Sequence, residues 1–211
     1  MLALLNRPRN SGTTMQTPEP VIIVLAAGLS RRFGTQNKLL IDWEGEPLIR
    51  RVVKIAQECG DLAPLQSARV IVVTGHEADI IEEVLADLPV TFARNKLYLE
   101  GMGTSIAAGV RAAPENTSGF LIVPGDMPRL RSETLSTLAG LGLAEASPTP
   151  GASIATCRAT WGRSAPTYFD ARFRAELEQL EGDEGARFLL RARADEVWEL
   201  SVSDAEVSDI D

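Results

Sequence analysis

The sequence predicts an α/β protein built on a three-layer, doubly wound and mostly parallel sheet, with an antiparallel addition. Three observations carry that prediction. Apolar runs at Val21–Ala26, Arg69–Thr74 and residues 119–123 read as strands buried on both faces. The segments between them space their apolar residues as helices do. Each run also ends in small or turn-forming residues (Ala27 and Gly28, Gly75, Pro124 and Gly125), so the chain turns sharply at the same end of each strand.

The elements follow in order. Residues 1–19 carry Asn, Ser, Gly, Thr and Pro without periodicity and are expected to form a mobile tail, so a single domain is placed at 20–203. Pro47 suits a helix start, and Leu48, Val52, Val53 and Ile55 continue the helix to a stop at Cys59 and Gly60. Residues 78–88 carry Ile80, Ile81, Val84, Leu85 and Leu88 at helical spacing, and a short strand is expected at 90–93. After the glycines Gly101 and Gly103, residues 105–113 read as a packed helix whose N-terminus faces whatever the loop binds. Ser132, Leu135 and Leu138 mark the next helix, and 141–151 is loop-like. Residues 152–157 and 160–169 read as two extended segments around Trp161 and Gly162, the antiparallel addition. Asp170 starts a helix, Asp183 caps another, and 197–202 is a last strand; the acidic residues 204–211 are expected to be a solvated tail.

Composition narrows the partners. The 211 residues are 45% hydrophobic, enough for a real core, and 21 Lys and Arg against 29 Asp and Glu give a net charge of −8. That balance argues against a nucleic-acid partner, because such binding is mainly phosphate neutralisation. Cys59 and Cys157 lie far apart with no C-x-x-C pattern and read as reduced and structural. With no secretory segment and no run near the ~20 residues of a membrane span, a cytoplasmic chain without membrane contact is expected. His76 is the only histidine, which excludes a multi-histidine metal cluster.

The chemistry-bearing residues gather behind the first strand. Leu25, Ala26, Ala27 and Gly28 lead into Ser30, Arg31, Arg32 and Lys38, which puts backbone N–H groups and cations at a strand's C-terminal end. In open α/β sheets ligands bind there, and this mix suits a polyphosphate; a solvated basic loop is the plainer reading. Asp126 directly follows the strand at 119–123, where a carboxylate can hold a Mg²⁺ ion bridging phosphate oxygens, or can simply serve the turn before Pro128.

The order L-A-A-G-x-S-x-R-F-G, followed by Lys38, resembles the signature of nucleotidyltransferases that build NDP-linked products from NTPs. Later landmarks keep that family's order over roughly residues 20 to 200: VTGHEA at 73–78, GMGTSIAAGV at 101–110, PGDMPRL at 124–130 and GDEGARFLL at 182–190. Together they are most similar to the MobA/MocA-type molybdenum cofactor nucleotidyltransferases, nearest the cytidylyltransferase branch, where L-A-A-G accompanies CTP and L-A-G-G accompanies GTP.

The resemblance implies transfer of CMP from CTP to the phosphate of molybdopterin, with or without molybdenum, releasing pyrophosphate with Mg²⁺ as cofactor. It leaves room for a molybdoenzyme client. It also implies roles for residues. Arg32 and Lys38 grip the triphosphate, and Asp126 is catalytic through the metal. Leu25, Ala26, Ala27, Gly28 and Ser30 cradle phosphates. Thr74 and Gly75 lie near the nucleotide, and Gly103, Thr104 and Ser105 read the base. The chain departs from the family in the five-residue step from Gly34 to Lys38, and in Ala165 where the cytidylyltransferases often carry histidine. A related enzyme using GTP or a sugar or polyol phosphate, and a nucleotide-binding cofactor chaperone without turnover, are the competing readings. A dehydrogenase is not favoured, since no G-x-G-x-x-G follows the first strand.

Overall fold

The structure is a computed structural model that describes residues 19–29, 36–62, 65, 68–143 and 153–210. Its strands are β1 (Val21–Ala26), β2 (Asp42–Trp43), β3 (Glu46–Pro47), β4 (Arg69–Thr74), β5 (Thr91–Arg94), β6 (Gly119–Pro124), β7 (Ile154–Ala159), β8 (Gly162–Asp170) and β9 (Val197–Ser201). The helices are α1 (Leu48–Gly60), α2 (Ala78–Val84), α3 (Met102–Ala112), α4 (Ser132–Leu143), α5 (Arg174–Glu178) and α6 (Arg187–Ala192).

Among the described residues, seven strands form one sheet in the order β5-β4-β1-β6-β8-β7-β9, and β2 pairs with β3 as a separate hairpin. β1 lies parallel to β4 and β6, and β4 parallel to β5. β8 is the antiparallel addition, bonded on one side to β6 and on the other to β7, and β9 closes the edge parallel to β7. Because β8 runs against both of its neighbours, β7 and β9 point the same way as β1 and β6. All of these strands therefore finish at one edge of the sheet.

Alternation along each strand builds the three layers. Ile22, Val24 and Ala26 of β1 face a core completed by α1, α2 and α4, while Val21 and Ile23 face a second core made with α3, α5 and α6. Both faces of β1 are apolar, so a one-residue register slip would still bury hydrophobic side chains. The register is held instead by pairing on both sides of the strand. Cys59 and Cys157 are free and fully buried, and burial pushes both thiols up to about 12.

Four expectations are adjusted. The helix expected over 78–88 stops at Val84 and continues as turns, and the strand expected at 90–93 sits one residue later. Asp183 is not a helix cap: α6 begins at Arg187, and Ala186 at its N-cap makes no side-chain bond. The segment 204–210, expected to be a solvated tail, lies against the domain with Val207 2% exposed and Glu206 8% exposed. Composition hid this because the docking rests on Val207, Ile210, the Asp204 carboxylate and a few main-chain bonds within an otherwise acidic stretch.

Candidate active site

The ends of β1 and β6 are drawn together by a main-chain bond, Gly125 N–H to the Leu25 carbonyl at 2.9 Å. A Cβ at Gly125 would stand 2.6 Å from that carbonyl oxygen, so only glycine lets Asp126 emerge beside the first loop. Across this junction Lys38, held at the start of a short 3₁₀ turn that Asn37 caps, places Nζ 2.7 Å from Asp126 Oδ2. Both side chains remain partly exposed, at 17% and 21%.

Next to that pair opens a cavity of about 330 Å³. Of the residues predicted from sequence, Leu25, Ala27, Gly28, Lys38, Ser105 and Asp126 line it. Ser30 and Arg32 lie outside the described residues, as does Arg31. The remaining predicted residues stand behind the cavity rather than in it. Ala26 is fully buried in the core. Thr74 is also fully buried, and its hydroxyl donates to Glu82 Oε1 at 2.9 Å. The Thr104 hydroxyl donates to the carbonyls of Leu97 and Gly101 and accepts from Asn95 Nδ2, all at 2.9 Å.

The glycines of the 101–103 loop also differ from expectation. They admit protein backbone, although Gly101 also lines the cavity: a Cβ at Gly101 would fall 2.3 Å from the Gly182 carbonyl carbon, and one at Gly103 would fall 2.5 Å from Glu181 O. Gly103 N–H donates to the Gly182 carbonyl at 2.8 Å, and Gly101 sits at φ 115°, a conformation side chains rarely adopt. Gly75 has the same kind of task. Its missing Cβ would lie 2.8 Å from Tyr98 Cβ and 2.9 Å from Ala27 Cβ, so Gly75 seats the Tyr98 ring against the first loop.

Tyr98, Leu99, Met102 and Asp183 are among the lining residues to which sequence reasoning gave no role at the site. Leu99 and Met102 are 62% and 51% exposed, an unusual state for large apolar side chains and a pattern that apolar count alone does not reveal. Asp183 also borders a second cavity, of about 450 Å³, beside α5 and α6. The GDEGARFLL landmark was the available signal for it. Asn95, 5% exposed, donates to both Thr104 and Ser105 and accepts from Leu97 N–H, so it braces the loop that carries them.

The description of a MobA-like NTP transferase domain matches residues 22–197. The chain belongs to the MobA-like NTP transferase domain family. The chain is 36% identical over 128 residues to the bifunctional protein GlmU of Caldanaerobacter subterraneus subsp. tengcongensis, covering 60% of this chain and 26% of that protein. The shared stretch thus spans about a quarter of the curated relative's length. Rv0371c of Mycobacterium tuberculosis H37Rv superposes on this chain with a TM-score of 0.76 at 22% identity, covering 92% of this chain and 94% of that one. The same protein is known in complex with manganese, at a TM-score of 0.72, 22% identity and coverage of 92% and 93%. A CMP:2-keto-3-deoxy-manno-octonic acid synthetase complexed with CTP superposes with a TM-score of 0.70 at 14% identity, covering 92% of this chain and 93% of that one. At these identities the solved structures speak for the shared fold, a mostly parallel nucleotidyltransferase sheet.

The donor set of the cavity suits a hard divalent cation. Among the described residues, no three His, Cys, Asp or Glu side chains gather to cage a metal. What the cavity offers is carboxylate oxygen, from Asp126, partly exposed at a strand end, and from Asp183 across the lining. Mg²⁺ is ordinarily held this way, by one or two carboxylates with water and substrate phosphates completing its shell. Manganese accepts the same oxygen ligands.

Proposed function

We propose that the protein is a molybdenum cofactor cytidylyltransferase, moving CMP from CTP to the phosphate of a molybdopterin-type acceptor and releasing pyrophosphate. The observation that carries the reading is the Lys38–Asp126 pair, 2.7 Å apart at the mouths of β1 and β6 and lining one cavity with the L-A-A-G loop. An acceptor phosphate oxygen attacks the α-phosphorus, the bond to the β-phosphate oxygen breaks, and pyrophosphate leaves with the electron pair. Such a transfer asks mainly for alignment and for stabilisation of negative charge. Lys38 supplies a cation to the phosphates, and main-chain N–H groups from Ala27 onward supply directed donors. Arg32 is proposed to add a second cation. Tyr98, Leu99 and Met102 offer the apolar wall on which a base or ribose would lie. Asp126 would hold Mg²⁺, which when bound supplies charge neutralisation at the phosphates.

The choice of CTP rests on Ala27 in the first loop. It is 3% exposed, with its Cβ turned toward Gly75 and Tyr98, so its influence on the base is proposed to pass through the seat of Tyr98. A second reading, transfer of CMP to a sugar acceptor, is favoured by the fold shared with the CTP-bound synthetase.

The test measures pyrophosphate release from CTP, GTP, ATP and UTP with Mg²⁺ and either a molybdopterin or a sugar phosphate acceptor. CTP with the pterin is expected to lead by about tenfold or more, and Ala27→Gly to move the CTP-to-GTP ratio toward GTP. Turnover with the sugar phosphate alone supports the second reading. Nucleotide affinity without turnover on any acceptor overturns both.

A further inference from the structure

The segment after β9 returns along the ligand-binding edge of the sheet. Val202 N–H donates to the Arg158 carbonyl at 3.1 Å, and Asp204 Oδ1 accepts from Thr160 N–H at 2.8 Å, which ties the segment to the turn after β7. A turn closed by Glu206 N–H to the Ser203 carbonyl then drops Val207 into the core that also holds β1 and β6. The chain arrives at Ile210. Its N–H donates to the Asp126 carbonyl at 3.1 Å, and its own carbonyl accepts from Lys38 Nζ at 3.2 Å. One residue's main chain therefore touches both members of the Lys38–Asp126 pair.

We propose that residues 204–210 are a positioning strap for the transfer site, in which Asp204 and Val207 are the anchors and the Ile210 main chain sets where the Lys38 amine and the Asp126 loop stand. This rests on the assignment of Lys38 and Asp126 to nucleotide binding. Ile210 is a positioning residue, since it acts through two others.

The alternative is an autoinhibitory plug, and the geometry disfavours it. None of residues 203–210 lines the cavity. Asp209, the carboxylate that precedes Ile210, is exposed. From Ile210, Lys38 meets a neutral carbonyl and Asp126 is bonded at its main chain, leaving the Asp126 carboxylate on the cavity side. A charge-assisted bond of this kind orients a flexible lysine, and small displacements of such groups cost rate steeply.

The test compares the full chain with a form ending after Val207, which keeps both anchors and lacks Ile210, and with Ile210→Pro, which removes the donor to Asp126 together with the Ile210 side chain that packs on the core. Binding of CTP and of pyrophosphate is measured by calorimetry with Mg²⁺ present. Thermal unfolding and amide exchange of residues 125–127 are followed alongside. The shortened chain should bind both ligands about tenfold or more weakly, with a melting midpoint within about 3 °C of the full chain and faster exchange at 125–127. Ile210→Pro should weaken binding by a smaller factor. Binding by the shortened chain within about twofold of the full chain, or tighter binding, overturns the strap. If the full chain binds neither ligand, the nucleotide-binding assignment fails, and the exchange result alone decides whether the segment fixes the Asp126 loop.

Discussion

The two walls of the cavity differ in how they spend their polar groups. One wall, formed by the ends of β1 and β6, presents Lys38 and Asp126 to the cavity. The other, running from Thr74 through Tyr98 to Ser105, turns its polar side chains away. Thr74 bonds Glu82, Thr104 bonds three partners behind the loop, and Asn95 ties the loop together. That wall shows the ligand mainly Tyr98, Leu99 and Met102. Ser105 lies between the two kinds, lining the cavity while its hydroxyl accepts from Asn95 at 3.0 Å. The Lys38–Asp126 pair thus sits on one side, and the opposing side is a braced surface whose hydroxyls hold its shape, with Asp183 the carboxylate at the Gly101 end of the lining.

The comparison breaks most visibly at Asp126. Asp126→Asn keeps the size of the side chain and removes its charge, so turnover with Mg²⁺ is expected to fall by about 10²–10³, the loss typical of removing one aligned electrostatic contact. Stability should change by no more than about 1 kcal/mol, because the pair with Lys38 is partly solvated. Steady-state pyrophosphate release and urea unfolding check the two halves. Full turnover in the variant would remove Asp126 from the chemistry.

This division was only partly legible in the sequence. The strands were legible because uninterrupted apolar runs such as VIIVLA and RVIVVT admit little besides a two-sided buried strand. The convergence of the first loop with PGD was legible from the side on which each strand ends. Which way a loop hydroxyl points was not, since Thr74 and Thr104 satisfy the same composition whether they face a ligand or a neighbouring loop. Gly101 and Gly103 misled for a related reason: glycine marks close approach, but not what approaches, and here it is the backbone of residues 181–182. The strap escaped because DAEVSDI reads as acidic and polar, and its docking relies on Val207, on the Asp204 carboxylate and on main-chain bonds whose partners side-chain types do not encode.

A second perturbation sharpens the comparison from the braced side. Asn95→Ala leaves Ser105 Oγ and Leu97 N–H without their partner in a site only 5% exposed. Stranded buried groups of this kind cost about 1–3 kcal/mol each, less where water enters, so a loss near 2 kcal/mol in urea unfolding is expected. Turnover should fall by about tenfold or less, mostly as a raised KM for the nucleotide, because the wall loosens without losing charge. A large drop in kcat at unchanged stability would instead place Asn95 among the groups that meet the substrate.

The smallest effect lies one layer further back. Glu82 accepts from Arg94 Nε at 2.8 Å and from Thr74 Oγ1 at 2.9 Å, and Arg94 reaches on to Asp79. The bond from Arg94, and then that from Thr74, hold the Glu82 carboxyl below its ordinary value. A depressed carboxyl contributes stability above its unfolded pKa, near 4.3 for Glu, and loses it as pH falls toward the folded one. Glu82→Gln should therefore cost about 1 kcal/mol or less at pH 7, discounted because Arg94 is 54% exposed, and nothing once the pH is below the folded value. Urea midpoints for the two proteins, taken from pH 7 downward, should draw together as the pH falls below the ordinary Glu range. A gap that does not narrow at all as the pH falls would show that Glu82 acts by packing, and that the rear of the braced wall is indifferent to charge.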